Sequence, residues 1–379
     1  MGLFNDVLNK MKSKLASTED HRPGGSVHIG LDEDARADYS IFRGYFDGID
    51  YKDGMLYVFG WMVSANGPYD ECVLYIDGIK RGKFERVKRP DVAKGLPTVK
   101  RAIDSGFQFR VVMPDVMVEG IIQICVKGYI RGKEFAVMET GFMRELYTGM
   151  PIPPPHLISR VDEQSSGEFY QLKGIQNFLE FRKRIETHVG AMEINRLLDW
   201  GCGSGRLLGF FYYYSNIPEL YGCDIDQEAI EWAQKNYSKA QFTAISPYPP
   251  TDYPADTMDI IIGFSVFTHL DRKNQLGWLQ EMKRILRPGG LFIATVHGLV
   301  AARTILDPTA MEIFLQEGFY DNGEDQRLRG VAPEDYYRAV FMTKAYIQNE
   351  WSPFFEVAEH LEQGASNYQD IVVLRKRAF

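Results

Sequence analysis

The residues best placed to hold a charged, nucleotide-like ligand are Asp199-Trp200-Gly201-Cys202-Gly203-Ser204-Gly205. A short apolar run, Arg196-Leu197-Leu198, leads into the acid, and an apolar helical stretch, Leu207 to Tyr214, follows the last glycine. A strand, a glycine-rich turn and a helix in that order bring backbone N–H groups up to a ligand at the helix N-terminus. Three ligand classes compete for such a loop. A dinucleotide fingerprint, G-x-G-x-x-G, needs glycine at its sixth position, where Arg206 stands. A phosphate-binding loop needs Gly-Lys-Ser/Thr, which is absent here. The remaining pattern, an acid followed by alternating glycines, suits a sulfonium amino acid better than a pyrophosphate. Asp199 would meet its ammonium end, and the glycines would let the backbone approach.

Three further motifs follow in order. Leu220-Tyr-Gly-Cys-Asp-Ile-Asp226 is a second strand ending in acids, one helix and one strand beyond Gly205. Met258-Asp-Ile-Ile-Ile-Gly-Phe-Ser-Val-Phe267 is a third apolar run, and Leu286-Arg-Pro-Gly-Gly-Leu-Phe-Ile-Ala294 is a helix-to-strand turn. Together with the glycine loop they resemble the class I S-adenosylmethionine (SAM)-dependent methyltransferases. The resemblance implies an α/β fold, a Rossmann-like sheet with helices on both faces, and SAM as cofactor. It implies that Asp199, Gly201, Cys202 and Gly203 contact the cofactor, with Asp224 on the ribose hydroxyls and Ile225 against the adenine. Phe264, at the end of the fourth strand, would lie beside the methionine moiety. Tyr170, on a helix before the glycine loop, would cover the cofactor as such helices do in relatives. One departure stands out: where many relatives carry an acid for the adenine amino group, this chain has Ser246-Pro247-Tyr248 after Gln241–Ile245. Ser246 or the backbone would take that role.

Methyl transfer is an in-line displacement, and a hydroxyl acceptor also needs a base for its proton. The resemblance puts two histidines near the C-terminal strand ends, where open α/β sheets bind ligands. His269 follows the fourth strand, and His297 follows the fifth. For His269 two readings stand, a general base or acceptor-orienting group, and a structural histidine capping the helix that begins near Asp271. His297 is the second candidate base. The stretch from 298 to 350 is a long insertion rich in aromatic residues, of which Tyr320 and Asp321 are the candidate substrate contacts. Gln369 and Asp370 precede the last strand, near the substrate mouth or in an edge turn. No cluster of Asp and His spells a metal site.

These side chains need elements to hold them. Residues 39–146 read as an all-β sandwich. Runs such as Met55–Phe59, Cys72–Ile76, Phe107–Val112 and Ile121–Val126 are short, β-branched and aromatic, and Asp53-Gly54, Asn66-Gly67, Asp77-Gly78 and Arg131-Gly132 separate them as turns. Arg89-Pro90-Asp91-Val92 and Ser105-Gly106-Phe107 resemble β-sandwich modules that accompany glycosyltransferases and related enzymes of bacterial surface-polysaccharide assembly, or else only shape turns. Residues 147–160 form a proline-rich linker around Pro151-Ile-Pro-Pro-Pro155, which favours a stiff extended chain. Residues 161–379 alternate strands with helices, and Trp351–Val357 and Tyr368–Leu374 read as closing strands. Those closing strands resemble a methyltransferase subgroup associated with cell-surface glycan and secondary metabolism. Residues 1–38 read as an amphipathic helix and a flexible tether, with residues 1–15 a candidate contact for a membrane surface or a partner.

Composition narrows the partners. The 379 residues carry a formal charge of -8, with 43 basic and 51 acidic side chains, and show no basic stripe for a phosphate backbone. Nucleic acid is therefore not expected as a partner. The four cysteines are well separated and read as small buried residues in a reducing compartment. No apolar run approaches the ~20 residues that span a bilayer, so a cytoplasmic location is expected, peripheral to the membrane if residues 1–15 bind it. Three functional readings remain. The leading one is O-methylation of a sugar hydroxyl in a glycan or glycosylated precursor. The second is N- or O-methylation of a small secondary metabolite or peptide. In the third, the β-sandwich binds a glycan or recruits a glycosyltransferase, and methylation is secondary.

Overall fold

The β-rich half reads in the structure much as its turn signals require. A computed structural model describes residues 42–64, 67–113, 121–142, 150–161 and 166–378. The helix and tether expected over 1–38, and the contact at 1–15, lie outside the described residues. One four-stranded antiparallel sheet runs β1 (Phe42–Lys52), β2 (Met55–Ser64), β6 (Gly106–Val112), β5 (Lys83–Val87). A second runs β4 (Ile79–Arg81), β3 (Glu71–Ile76), β7 (Ile122–Ile130), β8 (Lys133–Phe142). Asp53-Gly54, Asp77-Gly78 and Arg131-Gly132 all take positive φ at both positions, as two-residue hairpin turns matching the strand twist require. The sheets face each other closely. Phe42 meets Phe135 edge-on at 6.2 Å, and a Cβ on Gly44 would stand 2.7 Å from Met138 Sδ.

This half is not wholly β. A short helix, α1 (Pro90–Gly95), and a helical turn at Ala102–Asp104 join β5 to β6. The Arg89 and Gly106 clusters meet there: a Cβ on Gly106 would lie 2.8 Å from Arg89 Cγ, and Arg89 pairs with Asp47 and Asp91, each at 2.5 Å.

The linker also differs from expectation. Pro155 does not extend the chain; it opens α2 (Pro155–Val161), since proline's fixed φ and missing N–H suit the first helical position. Next comes α3 (Gly167–Val189), the long helix that joins the two halves. Its Ile175 and Leu179 reach the backbone of β8 at Gly141, where an added Cβ would lie 2.8 Å from each. Its fully buried Phe178 stacks on Phe210 at 6.0 Å and meets Phe211 edge-on at 5.0 Å, both on α4 (Leu208–Tyr214).

The seven-stranded sheet runs β11 (Ala240–Ala244), β10 (Glu219–Asp224), β9 (Arg196–Trp200), β12 (Met258–Gly263), β13 (Leu286–Val296), β17 (Gln369–Arg375), β16 (Glu356–Ala365). The first five are parallel and the last two pair antiparallel, the Rossmann-like mixed sheet that the resemblance implies. Every residue of β12 is buried, so the central strand reads as an unbroken apolar run rather than an alternation. Between the strands stand α5 (Gln227–Asn236) and α6 (Arg272–Ile285). The insertion holds α7 (Leu299–Ile305), α8 (Pro308–Glu317), the hairpin β14 (Phe319–Glu324) and β15 (Arg338–Met342), and α9 (Lys344–Trp351). Trp351 therefore ends a helix, and the first closing strand begins later than expected.

Truncating the fully buried Phe178 to Ala should cost about 3–5 kcal/mol, read as a lower urea midpoint with an unchanged slope. A slope that falls instead would mean that the two halves unfold separately.

Candidate active site

One cavity collects most of the residues singled out above. It lies at the C-terminal ends of β9, β10 and β12, and its wall includes Tyr170, Asp199, Gly201, Cys202, Gly203, Asp224, Ile225, Phe264 and His269. Local backbone chemistry explains the loop. Gly201 and Gly203 take φ of 77° and 51°, and a Cβ on Gly201 would stand 2.4 Å from Val266 Cγ2. The N–H groups of Gly201 and Cys202 both donate to Cys223 O, at 2.8 and 3.1 Å, which pins the loop to the end of β10.

Asp199 is buried, and Asp224 is half-buried beside it. Burial, and then the neighbouring Asp224, push the Asp199 carboxyl up to about 7. Burial also raises Asp224, although its oxygens accept N–H groups from Gly203 at 2.7 Å and Asp226 at 2.9 Å. A carboxylate oxygen accepts more than one hydrogen bond, so Asp224 keeps capacity for hydroxyl donors. Tyr170 lines the cavity; its Oη is buried without a hydrogen-bond partner among the described residues, and burial holds the phenol protonated, so it keeps a donor. Ile225 and Ile245 supply apolar surface. This set fits SAM: a carboxylate for an ammonium, an acceptor for ribose hydroxyls, a phenol for a carboxylate, and apolar walls for a base. The thiol of Cys202 is held well above its usual range by burial, so it contributes shape and not a nucleophile.

His269 is buried on the same wall, in a helical turn after β12. Its Nδ1 lies 2.7 Å from Arg338 O; a carbonyl only accepts, so Nδ1 carries the proton and Nε2 the lone pair. Tyr337 stacks on the ring at 3.9 Å. Arg327 Nη2 stands 3.5 Å from Nε2. Burial, then the Arg327 charge, then His297, push His269 down to about 3, so it is neutral at ordinary pH. It does not cap the following helix: Asp271 does, accepting from Asn274 N at 2.7 Å.

Four expected contacts stand elsewhere. His297 is buried behind the wall, with Nδ1 3.2 Å from Val340 O and its ring against Phe341, and burial takes it down to about 4. Tyr320 packs with the α7–α8 cluster, and Asp321 pairs with Arg338 at 2.5 Å across the β14–β15 hairpin. Ser246 Oγ accepts from Tyr248 N at 3.1 Å and is not part of the wall. Gln369 instead supports the wall from behind, donating to Ser265 Oγ at 2.9 Å and accepting from Thr295 at 2.6 Å. Ser265 needs that support, because it holds φ of 58° at the end of β12.

Sequence reasoning missed Arg160 and Arg327 on the wall, and it placed Tyr336 and Tyr337 only among the aromatic residues of the insertion, without singling them out as contacts. Arg160, on α2, grips both oxygens of Asp226 at 2.9 and 2.7 Å and Glu228 at 2.7 Å, holding α2 against the start of α5. Proline at a helix start was the signal that could have found it. Arg327 and the two tyrosines come from the loop between β14 and β15, where nothing in the local pattern marks a ligand contact. Tyr336 donates to Pro247 O and accepts from Trp278 Nε1 at 3.2 Å, holding that loop against the strand ends.

A family model matches the part of the chain that carries the glycine loop and the central strands. Residues 198–294 match the family model described as Methyltransferase domain. The chain is 24% identical over 198 residues to the tRNA N(3)-cytidine methyltransferase METTL2 of Xenopus tropicalis, covering 48% of this chain and 57% of that protein. It is 26% identical over 162 residues to the tRNA U34 carboxymethyltransferase of Methylococcus capsulatus, covering 40% and 46%. The chain thus spans about half the length of the curated relatives it matches. Among solved structures, a SAM-dependent methyltransferase from Methanosarcina mazei is 20% identical, with a TM-score of 0.39 over 52% of this chain and 98% of that one. The [4+2]-cyclase SpnF is 13% identical, with a TM-score of 0.39 over 61% of this chain and all of that one. Within this chain, residues 198–294 lie in a methyltransferase domain of class I fold whose cofactor is SAM.

Proposed function

We propose that the whole chain is an O-methyltransferase whose acceptor is a sugar hydroxyl of a glycan or glycosylated precursor. The observation that carries the O-methyl reading is His269, a neutral imidazole on the cavity wall with its proton fixed on Nδ1 and its lone pair on Nε2. The sugar rests on the resemblance of the N-terminal module, supported by the meeting of its Arg89 and Gly106 clusters. The tRNA named for the relatives is not carried over, because the chain's formal charge is -8 and it offers no basic stripe for a phosphate backbone.

Bound SAM supplies an electrophilic methyl on a positively charged sulfur. Asp199 would hold the ammonium, Asp224 would accept from the ribose hydroxyls, and Tyr170 would donate to the carboxylate. Arg160 and Tyr336 hold α2 and the insertion loop in place on the cavity wall. His269 Nε2 accepts the hydrogen of the attacking hydroxyl. Fixing the acceptor oxygen in line is worth more than strong basicity here, because positioning supplies much of the rate.

Asp199 has a pH signature. Its folded carboxyl titrates at about 7 against an ordinary 3.8, so the fold favours the protonated form. In the cofactor-free protein its contribution to stability is full below pH 3.8 and is lost as pH rises through about 7. Asp199→Asn should therefore raise the melting temperature of the cofactor-free protein at pH 8 while abolishing the shift that SAM gives to wild type. Binding an ammonium needs the carboxylate, so SAM affinity in wild type should weaken about tenfold per pH unit below pH 7. Calorimetry between pH 5.5 and pH 8 checks this, and a flat profile would remove Asp199 from the ammonium site.

His269→Ala should lower kcat on a glycan or nucleotide-sugar acceptor about 100-fold or more while leaving the Kd for SAM unchanged. His297→Ala should leave the chemical step intact. Equal losses in both variants, or none in either, would withdraw the base assignment.

A further inference from the structure

Ser265 lines the cavity just beyond β12 and holds φ of 58°, a left-handed backbone that costs a non-glycine residue energy. Three side chains fix it there. Its N–H donates to Thr295 Oγ1 at 2.7 Å. Thr295 is fully buried, and its own hydrogen goes to Gln369 Oε1 at 2.6 Å. Gln369 Nε2 donates to Ser265 Oγ at 2.9 Å, which closes the ring and sets the orientation of the amide. The third side chain is Thr268, whose Oγ1 lies 3.1 Å from Ser265 Oγ. Thr268 is also fully buried, and among the described residues its hydroxyl has no other partner. A buried donor without an acceptor is costly, so the Thr268 hydrogen belongs to Ser265 Oγ. Both lone pairs of Ser265 Oγ are then taken, and its own hydrogen has no acceptor among the described residues.

The strand order separates this donor from the cofactor acids. Asp199 and Asp224 belong to β9 and β10, on one side of β12. Thr295 belongs to β13 and Gln369 opens β17, on the other side. His269 leans the same way, because its ring meets His297, just past the end of β13, at 6.2 Å. Tyr170 is the donor assigned to the cofactor's carboxylate. The spare hydrogen of Ser265 therefore goes with His269, the group assigned to the acceptor.

We propose that Ser265 binds the acceptor by donating its hydroxyl hydrogen to a second oxygen, distinct from the hydroxyl whose hydrogen passes to His269 Nε2. This rests on the O-methyltransferase reading above and narrows the acceptor to a molecule that offers a further oxygen, as a sugar diol does and a simple alcohol does not. A donor on the attacking oxygen would withdraw electron density from it; on another oxygen it orients the acceptor without that cost. As the attacking oxygen takes the methyl carbon, sulfur keeps the electron pair of the broken S–C bond and the hydroxyl proton passes to Nε2. Ser265 itself is unchanged by the step. Gln369 is a positioning residue, because its amide donor occupies one lone pair of Ser265 Oγ and leaves the serine hydrogen for the ligand.

The test uses the full chain and two variants. Ser265→Ala keeps the Cβ and removes the hydroxyl, but it leaves Gln369 Nε2 and Thr268 Oγ1 short of an acceptor. Gln369→Glu keeps the ring closed. Its carboxylate accepts from Thr295 on one oxygen and from Ser265 on the other, which takes the serine hydrogen away from the ligand. Methyl transfer from SAM is measured with methyl hexosides, nucleotide sugars and cyclohexanol, the last of which has a single oxygen. Wild type should methylate a sugar of this panel and not cyclohexanol. Both variants should raise KM for that sugar about tenfold while the Kd for SAM, read by calorimetry, stays unchanged. A purely structural ring would lower the melting temperature without that split. An unchanged KM in Gln369→Glu, or transfer to cyclohexanol as efficient as to the sugar, would overturn the proposal. So would a Kd for SAM weakened about tenfold in Gln369→Glu, which would give Ser265 to the cofactor. If wild type binds SAM and methylates no sugar, the sugar reading falls and takes this proposal with it. If wild type methylates a sugar and the variants match it, only the Ser265 assignment falls.

Discussion

Asp199 and Asp224 lie near the ends of adjacent parallel strands, Asp199 buried and Asp224 half-buried, and burial disfavours the charge on both. That constraint shapes the rest of the domain. Asp224 is stabilised in part by the backbone N–H groups of Gly203 and Asp226, which require the glycine loop and the turn into α5 to take one particular path. Asp199 has less help, and its carboxyl rises to about 7 as a result. A cationic ligand with hydroxyl groups relieves both at once. The fold thus holds an electrostatic deficit in the cofactor-free state that binding of such a ligand would remove, a common arrangement where function competes with stability.

The covers over that deficit come from parts of the chain that lie far apart in sequence. α2 arrives from the proline segment and is held by Arg160; the insertion loop arrives from beyond the fifth strand and is held by Tyr336. Both line the same cavity, together with the acids Asp199, Asp224 and Asp226. The neutral, singly protonated state of His269 depends on the same insertion, because Arg338 supplies the carbonyl and Tyr337 the stacked ring.

The cofactor half was legible because its signals are local. A glycine at positive φ, an acid at a strand end and an unbroken apolar strand each leave a pattern within a few residues, and four such patterns in order specify a sheet. Three of the hairpin turns in the N-terminal half were legible for the same reason. The acceptor side was not. Tyr320 and Asp321 are the candidate substrate contacts of the insertion, yet the hairpin register gives Asp321 to Arg338 and turns Tyr320 toward α7 and α8. Arg327 and Tyr337 reach the cavity only through that long-range pairing, which no short window contains. Pro155 shows a different failure. The same residue type stiffens an extended chain or starts a helix, and the residues C-terminal to it decide between the two.

The claim on which everything else depends is that this cavity binds SAM. Isothermal titration of SAM into the full chain at pH 7.5 addresses it without any knowledge of the acceptor. One molecule bound per chain, with the heat lost in Asp224→Ala, is the predicted result. No heat of binding at millimolar SAM, from a protein that melts cooperatively, would contradict it.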